Sequence, residues 1–212
     1  MSPLLIALLG VLILPLFLAT WRSSLLGLAC QGLLMTLIAY RLHPHPSTAE
    51  DWLTLGELAV VRGGVAPLAL FAVLRARNAP SRNDVIPPNL LSWTLALGLV
   101  LVAFTFSEQL VREAGDERTL VAVATAGVLL GFLVLASQSG PFSQMIGALR
   151  LENAVALLEL GDARHELSLG VHVALICVFL ATVAFFRWYL ATLTPTDEKS
   201  STSPAESEGP TL

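Results

Sequence analysis

Seven stretches of the chain are almost entirely apolar, and each is close to the length needed to cross a bilayer. A hydrocarbon core of about 30 Å requires roughly 20 mostly apolar helical residues. Only 13% of the residues are charged, against roughly a quarter in a soluble domain. The sequence therefore predicts an all-α membrane protein with about seven transmembrane helices. They are expected at Leu4–Thr20, Ser24–Tyr40, Trp52–Leu74, Leu90–Phe106, Leu120–Ala136, Phe142–Leu160 and Leu167–Leu190.

The connections between these stretches are short, so no water-soluble domain is expected between them. The first stretch has no basic residue before it, and the second begins after three residues, so we interpret it as a retained helix rather than a signal peptide. The expected organisation is a single transmembrane domain, 1–193, with a three-helix part, 1–75, and a four-helix part, 90–193. The Ser-, Pro- and Glu-rich segment 194–212 is typical of a disordered tail.

Basic residues that flank the spans predict the orientation, because cytoplasmic loops carry an excess of Lys and Arg. One side holds Arg22, Arg75, Arg77, Arg82, Arg187 and Lys199. The other side holds Arg41, Arg112, Arg118 and Arg164, diluted by carboxylates. The richer side is expected in the cytoplasm, which places the N-terminus outside and the C-terminus inside. The expected location is the inner (plasma) membrane, as a multi-pass protein.

Helix three carries two charged residues at membrane depth, where ionisable groups are costly and usually functional. Arg62 is near the middle of its span, and Glu57 precedes it by five residues. Five residues of α-helix rotate by about 500°, so the two side chains are not expected to share a face. Arg62 is therefore predicted to find its partner on another helix. The Gly63-Gly64 pair and Pro67 indicate a kink or a close helix contact.

Helix six holds a second group of polar residues, and helix two holds Gln31 at mid-depth. Glu152 and Glu159 lie on one face of helix six, about 10 Å apart along the axis, and are candidate stations on a proton route. Two interpretations stay open for this group. The residues are sites of ion transfer, or they are interhelical locks, such as an Arg62–Glu152 ion pair, a Gln31–Asn153 hydrogen bond and a satisfied core His172. The candidate polar residues are Glu152, Arg62, Gln31, Arg150, Asn153, Glu57 and Glu159.

Several functional classes lack their sequence signatures. The chain has no glycine-rich phosphate loop, nucleophile elbow or paired-cysteine metal site, so no catalytic residue, metal or cofactor is expected. Cys30 and Cys177 sit inside apolar runs and are interpreted as small buried residues. The net charge of −4 and the absence of a basic cluster speak against a nucleic-acid partner.

The motifs around helix six resemble a known family. Ser137-Gln138, the run from Gln144 to Gly147, and Glu152-Asn153 closely resemble the signature of the hydrogenase-4 component E family. Weaker similarities are Ala29-Cys30-Gln31 in helix two and Arg62 with Pro67 and Arg75 in helix three. These proteins are membrane subunits of formate-hydrogenlyase-type complexes, similar to the K subunit of respiratory complex I.

The resemblance implies a polar axis in which Gln31 and Arg62 occupy positions that hold proton-transferring carboxylates in the K subunit, while Glu152 matches the family's helix-six glutamate. Arg62 stands where the family has lysine, and arginine does not readily give up its proton. Ala174 or nearby His172 stands where the family tends to carry aspartate. The implied partners are antiporter-like and other membrane subunits, besides the lipid bilayer.

The function expected from the resemblance is that of a non-catalytic subunit of a hydrogenase-type or complex I-like oxidoreductase complex. Such a subunit contributes to a proton-translocating axis, with Glu152 exchanging the proton beside Arg62 and Arg150. Two alternatives are a structural or assembly membrane protein and a small stand-alone transporter.

Overall fold

A computed structural model describes residues 2–17, 20–76, 90–112, 115–138, 140–161 and 169–192. All regular structure in these residues is helical, which confirms the predicted all-α class. Each helix overlaps one of the seven apolar stretches, while the predicted tail 194–212 lies outside the described residues. The helices are α1 (Ser2–Phe17), α2 (Trp21–Leu42), α3 (Ala49–Ala76), α4 (Leu90–Leu110), α5 (Asp116–Ser137), α6 (Pro141–Gly161) and α7 (Leu169–Thr192).

Five of these helices, α2, α3, α4, α5 and α7, are long and apolar enough to cross a membrane. The chain therefore has the helices of a multi-pass membrane protein. Helix α1 is shorter, with an apolar core of Pro3–Ile13. Polar and charged residues, including Arg150 and Glu152, interrupt the apolar sequence of α6.

Helix α3 changes its winding along its length. It begins as an α-helix at a capping box, in which Thr48 and Asp51 bind each other's backbone N–H groups. From Glu57 to Val65 the winding is that of a π-helix, with hydrogen bonds between residues five apart, and α-helix returns at Ala66. Pro67 lies just beyond this π-segment, where its missing N–H and its ring disfavour regular α-helix in the preceding turn.

The helices pack so that both halves of the chain contribute to the interior. α1 packs on α2 and α5, α2 packs on α3 and α6, and α5 packs on both α4 and α6. Helix α7 lies at one edge against α3 and makes a smaller contact with α6. α4 and α7 keep most of their surface exposed, as helices that face lipid do.

Glycines let the helix backbones approach closely, which matters because apolar side chains gain little by leaving lipid for another helix. A Cβ built on Gly32 of α2 would lie 2.5 Å from the backbone nitrogen of Gly63 in the π-segment. The predicted close contact at Gly63 is therefore confirmed. Gly127 and Gly131 of α5 do the same against Ala154 and Leu151 of α6, where added Cβ atoms would come within 2.9 and 3.3 Å.

Substitution of Gly32 by alanine is expected to destabilise the fold, because the added methyl group meets backbone atoms that cannot rotate away. Overpacking of this kind typically costs about 1–3 kcal/mol. Gly98→Ala is the matched control, since a Cβ at Gly98 meets nothing within 4 Å and alanine is the better helix former. Thermal unfolding in detergent should show a lower midpoint for Gly32→Ala and an equal or higher one for Gly98→Ala. Equal midpoints for the two variants would contradict the backbone contact.

Candidate polar site inside the bundle

A buried ion pair lies within the π-segment of α3. Nε of Arg62 donates to Oε1 of Glu57 at 2.7 Å, and the two side chains are only 6% and 8% exposed. Each charge is largely removed from water and satisfied by the other, as buried charges require.

The expectation that Glu57 and Arg62 lie on different faces is wrong. It assumed α-helical rotation, in which residues five apart diverge. In the π-segment, hydrogen bonds join residues five apart, so such residues stack one turn above the other. The π-helix therefore creates the ion pair.

Arg62 also contacts two other helices. Its Nη1 donates to Oδ1 of Asn153 on α6 at 2.9 Å, so the predicted partner on another helix is present, in addition to Glu57. Its Cζ lies 4.3 Å from the ring centroid of buried Phe179 on α7. A desolvated cation–π contact contributes about 2 kcal/mol. The guanidinium is thereby held by α3, α6 and α7 together.

His172 of α7 completes the network around Glu57. Its Nε2 lies 3.0 Å from Oε2 of Glu57, and its side chain is 16% exposed. Each oxygen of Glu57 therefore has its own partner. The interpretation of His172 as a satisfied imidazole agrees with this contact, but its partner is a carboxylate of the polar cluster.

Glu152 lies next to this network without joining it. It is half-buried on α6, close enough to be attracted electrostatically by Arg62 and repelled by Glu57. In the part of the chain that the structure describes, the Arg62–Glu152 salt bridge considered from sequence is absent, because Glu57 and Asn153 occupy the guanidinium. Among the described residues, Glu152 is thus the carboxylate of this group that forms no salt bridge.

Gln31 reaches the same region from α2. It is buried beside Gly32, whose backbone meets Arg62 and Gly63. The Gln31–Asn153 hydrogen bond considered from sequence is not formed, since Gln31 Oε1 and Asn153 Nδ2 both lack a partner among the described residues. The structure thus brings Glu57, Arg62 and Asn153 into direct contact. Glu152 lies within electrostatic reach of them, and Gln31 is buried on α2 next to the Gly32–Gly63 contact.

Arg150 serves a different part of the bundle. Its Nη2 and Nη1 lie 3.2 and 3.4 Å from the carbonyl oxygens of Val11 and Leu12 in α1. Residue 15 is proline and has no N–H, so the Val11 carbonyl cannot receive the usual helical hydrogen bond. Arg150, itself buried in the bundle, supplies a donor to that carbonyl.

Glu159 is exposed near the end of α6, away from the cluster, which agrees with the interpretation of a residue at the water boundary. Phe179 was missed in the sequence analysis because a lone aromatic residue in an apolar helix carries no polar signal. The Gly127–Gly131 pair has the spacing of a small-residue motif for helix contact, and this signal is present in the sequence.

Comparison with known proteins adds no assignment, since no family model, no curated protein and no solved structure matches the chain.

Removing Arg62 is expected to destabilise the bundle strongly, because Glu57 is left buried without its counter-charge. Breaking a buried pair typically costs about 3–5 kcal/mol. Arg62→Met should therefore lower the unfolding midpoint far more than Arg41→Met, a control at an exposed arginine of α2. The Arg62→Met/Glu57→Gln double variant should lose less stability than the two single losses summed. Strict additivity in chemical unfolding in micelles would contradict the pair.

The contact of Arg150 with α1 leads to a rescue experiment. Arg150→Met should reduce stability by about 1–3 kcal/mol, because the Val11 carbonyl loses its donor. Pro15→Ala restores an N–H at residue 15, so Pro15→Ala/Arg150→Met should be more stable than Arg150→Met alone. The same unfolding assay measures both variants. Absence of rescue would show that Arg150 does not compensate for the proline.

Proposed function

We propose that the chain is a non-catalytic membrane subunit of a hydrogenase-type or complex I-like oxidoreductase complex. It spans the inner (plasma) membrane seven times, with the N-terminus outside and the C-terminus in the cytoplasm. It contributes part of a proton-translocating polar axis and anchors larger antiporter-like subunits. The motifs around Glu152 and Asn153 that resemble the hydrogenase-4 component E family support this assignment.

The observation that carries the proposal is a cluster of ionisable and amide side chains buried where three helices meet. A scaffold that only fills a membrane has no need of such groups, and ionisable residues at this depth are usually functional. Two residues that carry the family resemblance, Arg62 and Asn153, are hydrogen-bonded to each other there, and a third, Gln31, is buried on α2.

The contacts divide the roles within the cluster. Arginine is a fixed positive charge rather than a proton carrier in proteins, and Glu57 is held between Arg62 and His172. These groups form a fixed electrostatic framework. Glu152 lies within its field but has no salt bridge among the described residues, so it is the group best placed to take up and release a proton.

Glu152→Gln should abolish most proton translocation in the assembled complex while electron transfer and composition are retained. Losing a positioned proton-transfer group lowers the rate by about a hundredfold or more. The complex is purified from native membranes in mild detergent through a tag on this chain, and proton uptake per substrate turnover is measured in proteoliposomes. Glu159→Gln is the matched control, because Glu159 is exposed on the same helix. Translocation at wild-type coupling in an intact Glu152→Gln complex would contradict the relay role.

A second candidate is a structural or assembly subunit without ion transfer. The contacts of Arg62 with Glu57, Asn153 and Phe179 favour it, because a cation held by three helices fixes α3, α6 and α7 relative to one another. The same experiment separates the two functions. If the chain is a structural subunit, Glu152→Gln leaves the proton uptake per substrate turnover unchanged. If it is a relay subunit, that ratio falls.

A further inference from the structure

Charge is distributed unevenly between the two ends of the bundle. The end where α1 stops and α2 starts, here called the arginine end, carries Arg22, Arg75 and Arg187 and no Asp or Glu among the described residues. The opposite end combines three arginines with several carboxylates, Glu50, Asp51, Glu108, Asp116, Glu117 and Glu159. By the charges of the described residues, the arginine end is therefore the end that attracts an anion at the membrane surface.

Two of these arginines flank a pair of aromatic rings that joins α2 to α3. The rings of Trp21 and Phe71 have centroids 5.5 Å apart. The Cζ atom of Arg22 lies 5.3 Å from the centroid of the Trp21 ring, and Arg75 is one helical turn beyond Phe71. Trp21 is buried, whereas both arginines are exposed. The Trp21 ring therefore holds the guanidinium of Arg22, and the aromatic pair brings the helix turn that carries Arg75 close to it, with both arginines open to a ligand.

The surface next to these arginines, toward the bilayer centre, is apolar. Leu26 follows Arg22 by four residues on α2 and is 66% exposed, and Leu68 precedes Arg75 by seven residues on α3 and is 67% exposed. These spacings place each leucine on the same helix face as its arginine. Each helix thus presents an exposed arginine near the membrane interface and an exposed leucine nearer the bilayer centre.

We propose that Arg22 and Arg75, on the two helices joined by the Trp21–Phe71 pair, bind the phosphate of an anionic phospholipid whose acyl chains lie over Leu26 and Leu68. Guanidinium groups bind phosphate oxygens with two parallel hydrogen bonds, and indole rings favour the headgroup level. An acidic protein segment would satisfy the arginines but not the exposed leucines below them. A lipid satisfies both, so the occupant is a lipid.

Native mass spectrometry of the full chain in detergent tests the assignment, with phosphatidylglycerol or phosphatidylcholine added at equal concentration. The wild-type chain should bind phosphatidylglycerol about tenfold more tightly, since each basic side chain near an anionic headgroup strengthens binding severalfold. Arg22→Gln/Arg75→Gln should lose that preference. Arg41→Gln, at the opposite end of α2, and Arg187→Gln, at the same end on α7, are controls that should keep it.

Three results would overturn the proposal. The first is equal binding of the two lipids by the wild-type chain, and the second is an unchanged preference in Arg22→Gln/Arg75→Gln. The third is displacement of bound phosphatidylglycerol by excess inorganic phosphate, which would show a site for phosphate itself rather than a lipid. Near-ultraviolet circular dichroism of the double variant, compared with wild type, confirms that Trp21 keeps its packing when binding is lost.

Discussion

The ion pair between Arg62 and Glu57 holds together the parts of α3, α6 and α7 that meet inside the bundle. With the two atoms 2.7 Å apart and both side chains buried, neither charge is stable there without the other, because low-dielectric surroundings penalise an isolated ion. Asn153, Phe179 and His172 all attach to this pair. Lipid offers apolar helices little reason to associate, so these polar and cation–π contacts determine how the three helices are aligned.

The pair in turn depends on the winding of α3. An ordinary α-helix separates residues 57 and 62 around its axis, while the π-segment stacks them. The same segment presents Gly63 to Gly32, so α2 packs backbone to backbone beside the buried charges. The unusual backbone geometry, the close helix packing and the charge neutralisation therefore all occur in the same segment of α3. The consequence for function is that Glu57 is engaged, while Glu152 lies beside the pair with no salt bridge to any residue that the structure describes.

The sequence predicted the helical class, the approximate helix positions and either a kink or a close helix contact at Gly63-Gly64, because hydropathy and small residues are local signals. It also identified Arg62, Glu57, Asn153 and Glu152 as residues of interest, since charged and amide groups stand out in apolar helices. It did not predict which of them pair. Nothing in the local pattern specifies a π-helix, so α-helical periodicity placed Glu57 and Arg62 on different faces. Phe179 contacts Arg62 across a separation of 117 positions in the sequence, and Arg150 contacts Val11 of α1 across 139 positions. Contacts this distant in sequence follow from tertiary packing alone.

Solid-state NMR measures the central contact directly in lipid bilayers, through the dipolar coupling between ¹³Cδ of Glu57 and ¹⁵Nε of Arg62. An Nε···Oε1 distance of 2.7 Å predicts a carbon–nitrogen separation of about 3.5 Å, which is short enough for the coupling to be measured. A coupling too weak to detect would contradict the ion pair, and with it the π-helical arrangement that brings the two residues together.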